Sequence, residues 1–355
     1  MDKDRLTPAE RLKALATKTG LDRVPVNAGA SVYAAAVSGI LSKEYYLEPE
    51  KAMEAGLWAL DLHKYDATPS YNIPDWSGWD FGGEMNFPTS PAISLPFLTK
   101  RAVQKPEDVE KLQVPDLAKA PAISRVIKFA RLARAKGFGV SMPAGSALGI
   151  AGAVIGPELM FRWFRKEPEL VYRVLRLATD FLLKIADTFI AEFGAENCTA
   201  FTTYPLECHA VISPKAFEKF SVPYIKEMHE KLLDKGIKKW IVHLCGDHTK
   251  NLPFWTEEIP LAPRTILHVS HEMNLEYTAK TFGEDHIIAG NIQTTLLQIG
   301  TANEVFEACR QVIEKMKYHP GGFILMPDCA LPALTPPVNV QAMVKAARIF
   351  GRYDL

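Results

Sequence analysis

The sequence predicts an α/β fold: one (β/α)8 TIM-like barrel with an N-terminal helical elaboration. Short runs of β-branched and aromatic residues alternate with longer helical segments from end to end, the order that parallel strands and crossover helices require. Eight such runs are present, the number a closed barrel needs. The helical segments of the C-terminal half also announce their own ends. A doubly wound open sheet is the main competing architecture. The chain has 355 residues, enough for two domains but also ordinary for one barrel. We therefore expect one domain over residues 1–355, with 1–22 as a helical extension.

The expected strands are Val24–Ala28, Tyr65–Pro69, Phe138–Met142, Thr199–Thr203, Trp240–Cys245, Ile266–Ser270, Ile287–Gly290 and Phe323–Met326. Between the second and third lies a segment, residues 71–99, with two tryptophans, three phenylalanines and four prolines and no helical period. A long irregular insertion in a compact α/β domain reads as a lid or binding loop, or as coil packed outside the barrel. Gly137–Pro157 is uncharged and long enough to resemble a membrane span. It holds two prolines and six glycines, so it reads instead as a buried strand followed by a tight glycine-rich turn.

Ser213-Pro214 supplies a cap residue and a proline at the first helical position, ahead of a helix that closes at Gly236. The interior Pro223 should kink or split that helix. Thr301 and Glu304 have capping-box spacing. Thr335-Pro336 opens a last helix that stops at Gly351.

Lys plus Arg and Asp plus Glu number 41 each, so no basic excess favours nucleic acid or an anionic membrane surface. The five cysteines are unevenly spaced, which fits a reducing cytoplasm better than a disulfide framework. The charged N-terminus lacks the apolar region of a signal peptide. We expect a cytoplasmic protein with neither a nucleic acid nor a membrane as partner.

The chemistry concentrates where strands end. His243 and Cys245, in IVHLCGDH, are two apart and so share one strand face, with Gly246-Asp247 marking the strand end. In a parallel barrel the C-terminal strand ends form the catalytic mouth. Cys329, in GGFILMPDCALP, lies just past another strand terminated by Pro327. If both strands belong to one barrel, one imidazole and two thiols open toward the same mouth. That is a normal zinc set, and three protein ligands leave a position for substrate. Buried cysteines are also common core residues, so the strand-end placement carries the reading. Glu207 follows the strand Thr199–Thr203 and is a candidate fourth ligand or base, or else a solvated loop carboxylate. Tyr204, His209, His271 and Asn291 occupy rim positions where they would face substrate or cap the next helix. GxSxG, GxxxxGK[ST] and HExxH motifs are absent. Glycines 145, 149, 152 and 156 lack the arrangement of a dinucleotide site.

HLCG, AGNIQ and the stretch from GGFILMPDCALP to VKAAR resemble the C-terminal half of the uroporphyrinogen decarboxylase-like superfamily. The likeness is strongest to its zinc methyltransferase branch, the methylcobamide:coenzyme M methyltransferases. RVPVNAG, EPEKAMEAGLWALD and QKPEDVEKLQVPD extend it over nearly the whole chain. The resemblance implies a TIM-like barrel with His243, Cys245 and Cys329 as zinc ligands. It also implies methyl transfer between a corrinoid and a small substrate: a zinc-activated thiol acceptor, or a methyl ether or methanol donor as in O-demethylase systems. Decarboxylases of this superfamily grip their porphyrinogen with an arginine-rich N-terminal loop, whereas NAGASVYAAAVSGI here has no arginine. Corrinoid domains present an Asp-x-His-x-x-Gly loop, and the stretch from Asp61 to Asp66 lacks the glycine. The methylcobamide is therefore expected on a separate corrinoid protein, docking near Trp76 and Trp79. A uroporphyrinogen-type decarboxylase and a non-catalytic zinc-stabilised partner protein are the competing readings.

Overall fold

The computed structural model describes residues 4–89 and 95–353. Glu84–Asn86 (β1) and Phe97–Lys100 (β2) form an antiparallel pair within the aromatic segment. Six parallel strands follow in sequential order: Val140–Pro143 (β3), Cys198–Thr203 (β4), Lys239–Leu244 (β5), Ile266–Val269 (β6), Ile287–Ile292 (β7) and Phe323–Pro327 (β8). Helices on the outside connect them, and the architecture is a TIM barrel.

The two remaining barrel positions belong to the expected strands Val24–Ala28 and Tyr65–Pro69, which form no ladder: Val26 makes a single parallel bridge to Leu325, and the second segment is held to the first by one backbone hydrogen bond. The Asn27 N–H donates to the Leu325 carbonyl, the Leu325 N–H to the Pro25 carbonyl (2.9 Å each), and the Asp66 N–H to the Val26 carbonyl (2.6 Å). Pro25 and Pro69 have no N–H to give, and Gly29 turns the chain away at φ +62°.

Along β5 to β8 the side chains alternate. Val242, Leu244, Leu267, Val269, Ile288, Phe323 and Leu325 pack outward into the main core with the helices. Ile266, Ile287, Ala289, Ile324 and Met326 form a separate apolar cluster with Leu15, inside the barrel. Leu15 comes from the N-terminal helix Pro8–Ala16, which opens with a Thr7–Glu10 capping box and stops the bottom of the barrel. Arg11 of that helix bonds Asp22 (2.8 Å) and Asp66 (2.5 Å), while Arg23 bonds Asp66 (2.6 Å). All four side chains are buried. This ion network ties the helix to the first two barrel positions, and nothing in the spacing of its residues announced it.

Three local expectations meet the structure differently. After β3, the glycine-rich stretch is not a turn but a buried helix, Ala147–Ile155, whose Ser146 cap accepts from the Gly149 N–H at 2.8 Å. Its small residues permit close packing: a Cβ on Gly78, in the helix Trp76–Asp80, would lie 2.8 Å from the Ala153 carbonyl oxygen. The aromatic segment is not wholly irregular, since it contains that short helix and the β1–β2 pair; its residues 90–94 lie outside the described residues. Trp76 packs on Phe181 and Trp79 on Phe87 beneath the Arg125 guanidinium. Finally, Pro223 splits its helix into Pro214–Phe220 and Val222–Asp234, as expected. No single described helix is long and apolar enough to cross a membrane.

Candidate metal centre

β5 delivers His243 on its inward face, and Cys245 follows one residue beyond its end. The chain turns at once at Gly246, where φ is +86° and a Cβ would lie 2.8 Å from that of Cys208. Only glycine meets both demands. β8 ends at Pro327, and Cys329 comes two residues later. The ligand atoms of His243, Cys245 and Cys329 lie within 4.8 Å of one another. Among the described residues, this convergent group has three members.

The imidazole is oriented from behind. His243 Nδ1 donates to the His268 carbonyl (3.3 Å), because a carbonyl only accepts. That leaves Nε2 as the lone-pair nitrogen, and it is buried with no partner. The two thiols stand side by side, so a hydrogen bond between them, with His243 beside Cys329, favours ionisation of Cys329 and opposes that of Cys245. The pair sheds one proton readily and resists losing the second. An unpartnered imidazole nitrogen, one thiolate and a thiol held back by its neighbour's charge make a soft donor set that a divalent cation would complete. The residues fit zinc.

Glu207 is fully buried in the loop after β4. Its Oε1 accepts from the Ser146 hydroxyl, and its Oε2 has no partner. Burial pushes its carboxyl up to about 7, against the opposing hydrogen bond from Ser146. Glu207 is not one of the convergent ligand atoms. Its loop is nevertheless tied to the strand that carries His243: the Tyr204 N–H donates to the His243 carbonyl at 3.1 Å, and the His209 N–H to the Asp247 carbonyl at 2.8 Å. The Asn251 amide donates to the Glu207 carbonyl at 2.9 Å.

The other expected site residues are distributed around this mouth. Tyr204 is buried, its hydroxyl 3.3 Å from His229 Nε2 and its ring edge-on to Trp255. His209 accepts from the Lys250 N–H at 2.8 Å. His271 stands on the rim and pairs through Nδ1 with Asp328, the residue before Cys329. Asn291 donates to the Ser270 and Met273 carbonyls, at 3.0 and 3.1 Å. Sequence reasoning passed over His268, Ser146, Asp328 and the buried His248, whose Nε2 faces the Tyr204 and Cys245 carbonyls. For His268 a signal existed, since the alternation that turns Leu267 and Val269 outward turns it inward. Ser146 was hidden by reading its helix as a turn. All five cysteines are free.

A TIM barrel with one imidazole and two thiols converging at its C-terminal mouth defines a class of candidate metal-dependent enzyme. The chain belongs to the Uroporphyrinogen decarboxylase (URO-D) family, whose model matches residues 7–350. It is 26% identical to "Methylcobamide:CoM methyltransferase MtbA" of Methanosarcina acetivorans, over 96% of this chain and 98% of that protein. It is 27% identical over 209 residues to "Methylated-thiol--coenzyme M methyltransferase" of Methanosarcina mazei, covering 58% of this chain and 52% of the relative. A solved structure described as "methyltransferase from Methanosarcina mazei" superposes with a TM-score of 0.80 at 20% identity, covering 98% of this chain and 99% of the other. That likeness is one of fold.

Proposed function

We propose that this chain is a zinc-dependent methyltransferase of a corrinoid system, moving a methyl group between a separate corrinoid protein and a small substrate. The observation that carries the reading is the unpartnered Nε2 of His243 facing two adjacent thiols at the barrel mouth. His243, Cys245 and Cys329 would hold the zinc. When bound, zinc supplies Lewis acidity toward a thiol acceptor or toward the oxygen of a methyl ether or methanol donor. The names of the full-length relatives support the methyltransferase class.

The chain's own residues account for the rest. Glu207, with a carboxyl near 7 and one free oxygen, holds or takes the proton that the substrate heteroatom gains or loses. His271 and His209 border the mouth, while Tyr204 and Asn291 brace its walls and narrow the space left to substrate. Cysteines kept free suit a cytoplasmic, reducing setting.

Against a porphyrinogen decarboxylase stands the segment from Asn27 to Ile40, which offers no cation to a polycarboxylate. A closed structural zinc site would need a fourth protein ligand, and the convergent group has three.

The test is zinc content by elemental mass spectrometry on the parent chain and on Cys329→Ser, followed by methyl transfer assays with methylcobalamin and thiols. About one zinc per chain, reduced in the variant, with methyl transfer to or from the corrinoid, is expected. A parent chain that takes up no zinc under reducing conditions overturns the proposal.

A further inference from the structure

Sequence reasoning left His268 without a role, and the fold places it between the two strands that carry the candidate ligands. In the β5–β6 register His268 lies directly beside His243. Neighbours in a parallel register share a face, so both rings enter the barrel. They stack with centroids 4.3 Å apart and planes 25° from parallel. The next residue in that layer is Ala289 on β7, small enough to leave room for two imidazoles side by side.

Two hydrogen bonds of defined direction leave His268. Its own carbonyl accepts from His243 Nδ1 at 3.3 Å. Its ring Nε2 donates to the Pro327 carbonyl at 2.7 Å. Pro327 is the last residue of β8, two before Cys329. One residue therefore grips both halves of the ligand set: the ring that offers Nε2, and the strand end that presents the second thiol. Just beyond the end of β8, Asp328 is held separately by His271 and by the Thr294 N–H (3.0 Å), so the β8 turn is fastened on both sides of the chain.

The geometry points to His268 as a positioning residue of the metal centre, one that sets the distance between His243 and the Cys329 thiol by bridging β6 to the end of β8. The inference rests on the zinc reading above but is separable from it. A buried polar ring could be replaced by an apolar one in an ordinary core. Here the lost N–H would free the Pro327 carbonyl and let Cys329 move relative to His243. Removal of partners that orient metal ligands costs about 10–100-fold in metal affinity.

The test compares the parent chain with His268→Phe, which keeps a ring against His243 but cannot donate, and His268→Gln, whose amide can reach the carbonyl. Zinc affinity is read by chelator competition, and cobalt(II) substitution reports ligand geometry through its thiolate charge-transfer and d–d bands. His268→Phe is expected to lose about 10–100-fold in affinity with shifted cobalt bands, and His268→Gln to stay within a few-fold of the parent. If His268→Phe does not fold, as judged by circular dichroism, His268→Met replaces it with the same expectation. A folded donor-less variant that binds zinc as tightly as the parent, with unchanged cobalt bands, overturns the positioning role and leaves the metal reading standing. A parent chain that binds no zinc overturns both.

Discussion

Glu207 is the residue whose chemistry is most exposed to experiment. Its carboxyl is held near 7 by burial, so the reaction rate should titrate there, and Glu207→Gln should remove that limb of the pH profile. If Glu207 handles the proton, the rate falls by about 10²–10⁴-fold. Stability carries the same signature with a definite sign. An unfolded glutamate ionises near 4.3, so between about 4.3 and 7 the folded chain holds a proton that the unfolded chain has lost. Stability should therefore fall as pH rises through that window and level off above it. Urea midpoints at pH 5 and pH 8 measure the fall, which should be smaller in Glu207→Gln. At this scale the sequence was informative about the ligands, because residues two apart on a strand must share a face. It was silent about which carboxylate would be buried, since that depends on the Ser146 helix folding over Glu207.

Single elements obey their local signals where those signals are reciprocal. The Thr301–Glu304 capping box forms as expected, Thr301 accepting from the Glu304 N–H at 3.3 Å and Glu304 from the Thr301 N–H at 2.7 Å. Thr301→Ala should cost about 1 kcal/mol, measured by equilibrium denaturation, without changing zinc content. The helix Ala147–Ile155 shows the opposite case. Its glycines have weak helical preference and invite a turn reading, yet every residue except Gly149 is buried. Close packing against neighbours, rather than propensity, stabilises it. Gly78→Ala tests this, because the added methyl meets the backbone carbonyl of Ala153, which cannot rotate away. The expected loss is about 1–3 kcal/mol, read from the shift in denaturation midpoint.

Over the whole molecule, the barrel separates chemistry from stability. The candidate donors His243, Cys245 and Cys329 sit at the C-terminal mouth, and the buried Arg11–Asp22–Arg23–Asp66 network sits at the opposite end. Asp66→Ala leaves two buried guanidiniums short of a partner and should cost about 3–5 kcal/mol, measured by urea denaturation. Folded variant chains should still take up zinc in full. The network also imposes an acid limit. Burial alone would raise the Asp22 carboxyl, but hydrogen bonds from Arg11 and from the Leu6 and Arg5 N–H groups outweigh it and lower it below the ordinary value. Its contribution is present above about pH 3.9 and is lost as pH falls below that.

Alternation of strands and helices, the strand-end placement of His243, Cys245 and Cys329, and the reciprocal caps were all written locally. Each depends on residues close in sequence, and the period of a strand or the reach of a cap is set by covalent geometry. The barrel could therefore be expected from the chain alone, and with it a donor set that converges if both strands belong to one barrel. Only tertiary structure decided that the first two expected strands form no ladder, that Glu207 loses its solvent, and that four charges at the base share one buried network. It also decided that His268 stands between the strand that carries His243 and the strand that leads to Cys329. Those outcomes turn on which groups exclude water from one another, and burial is a property of contacts between residues distant in sequence.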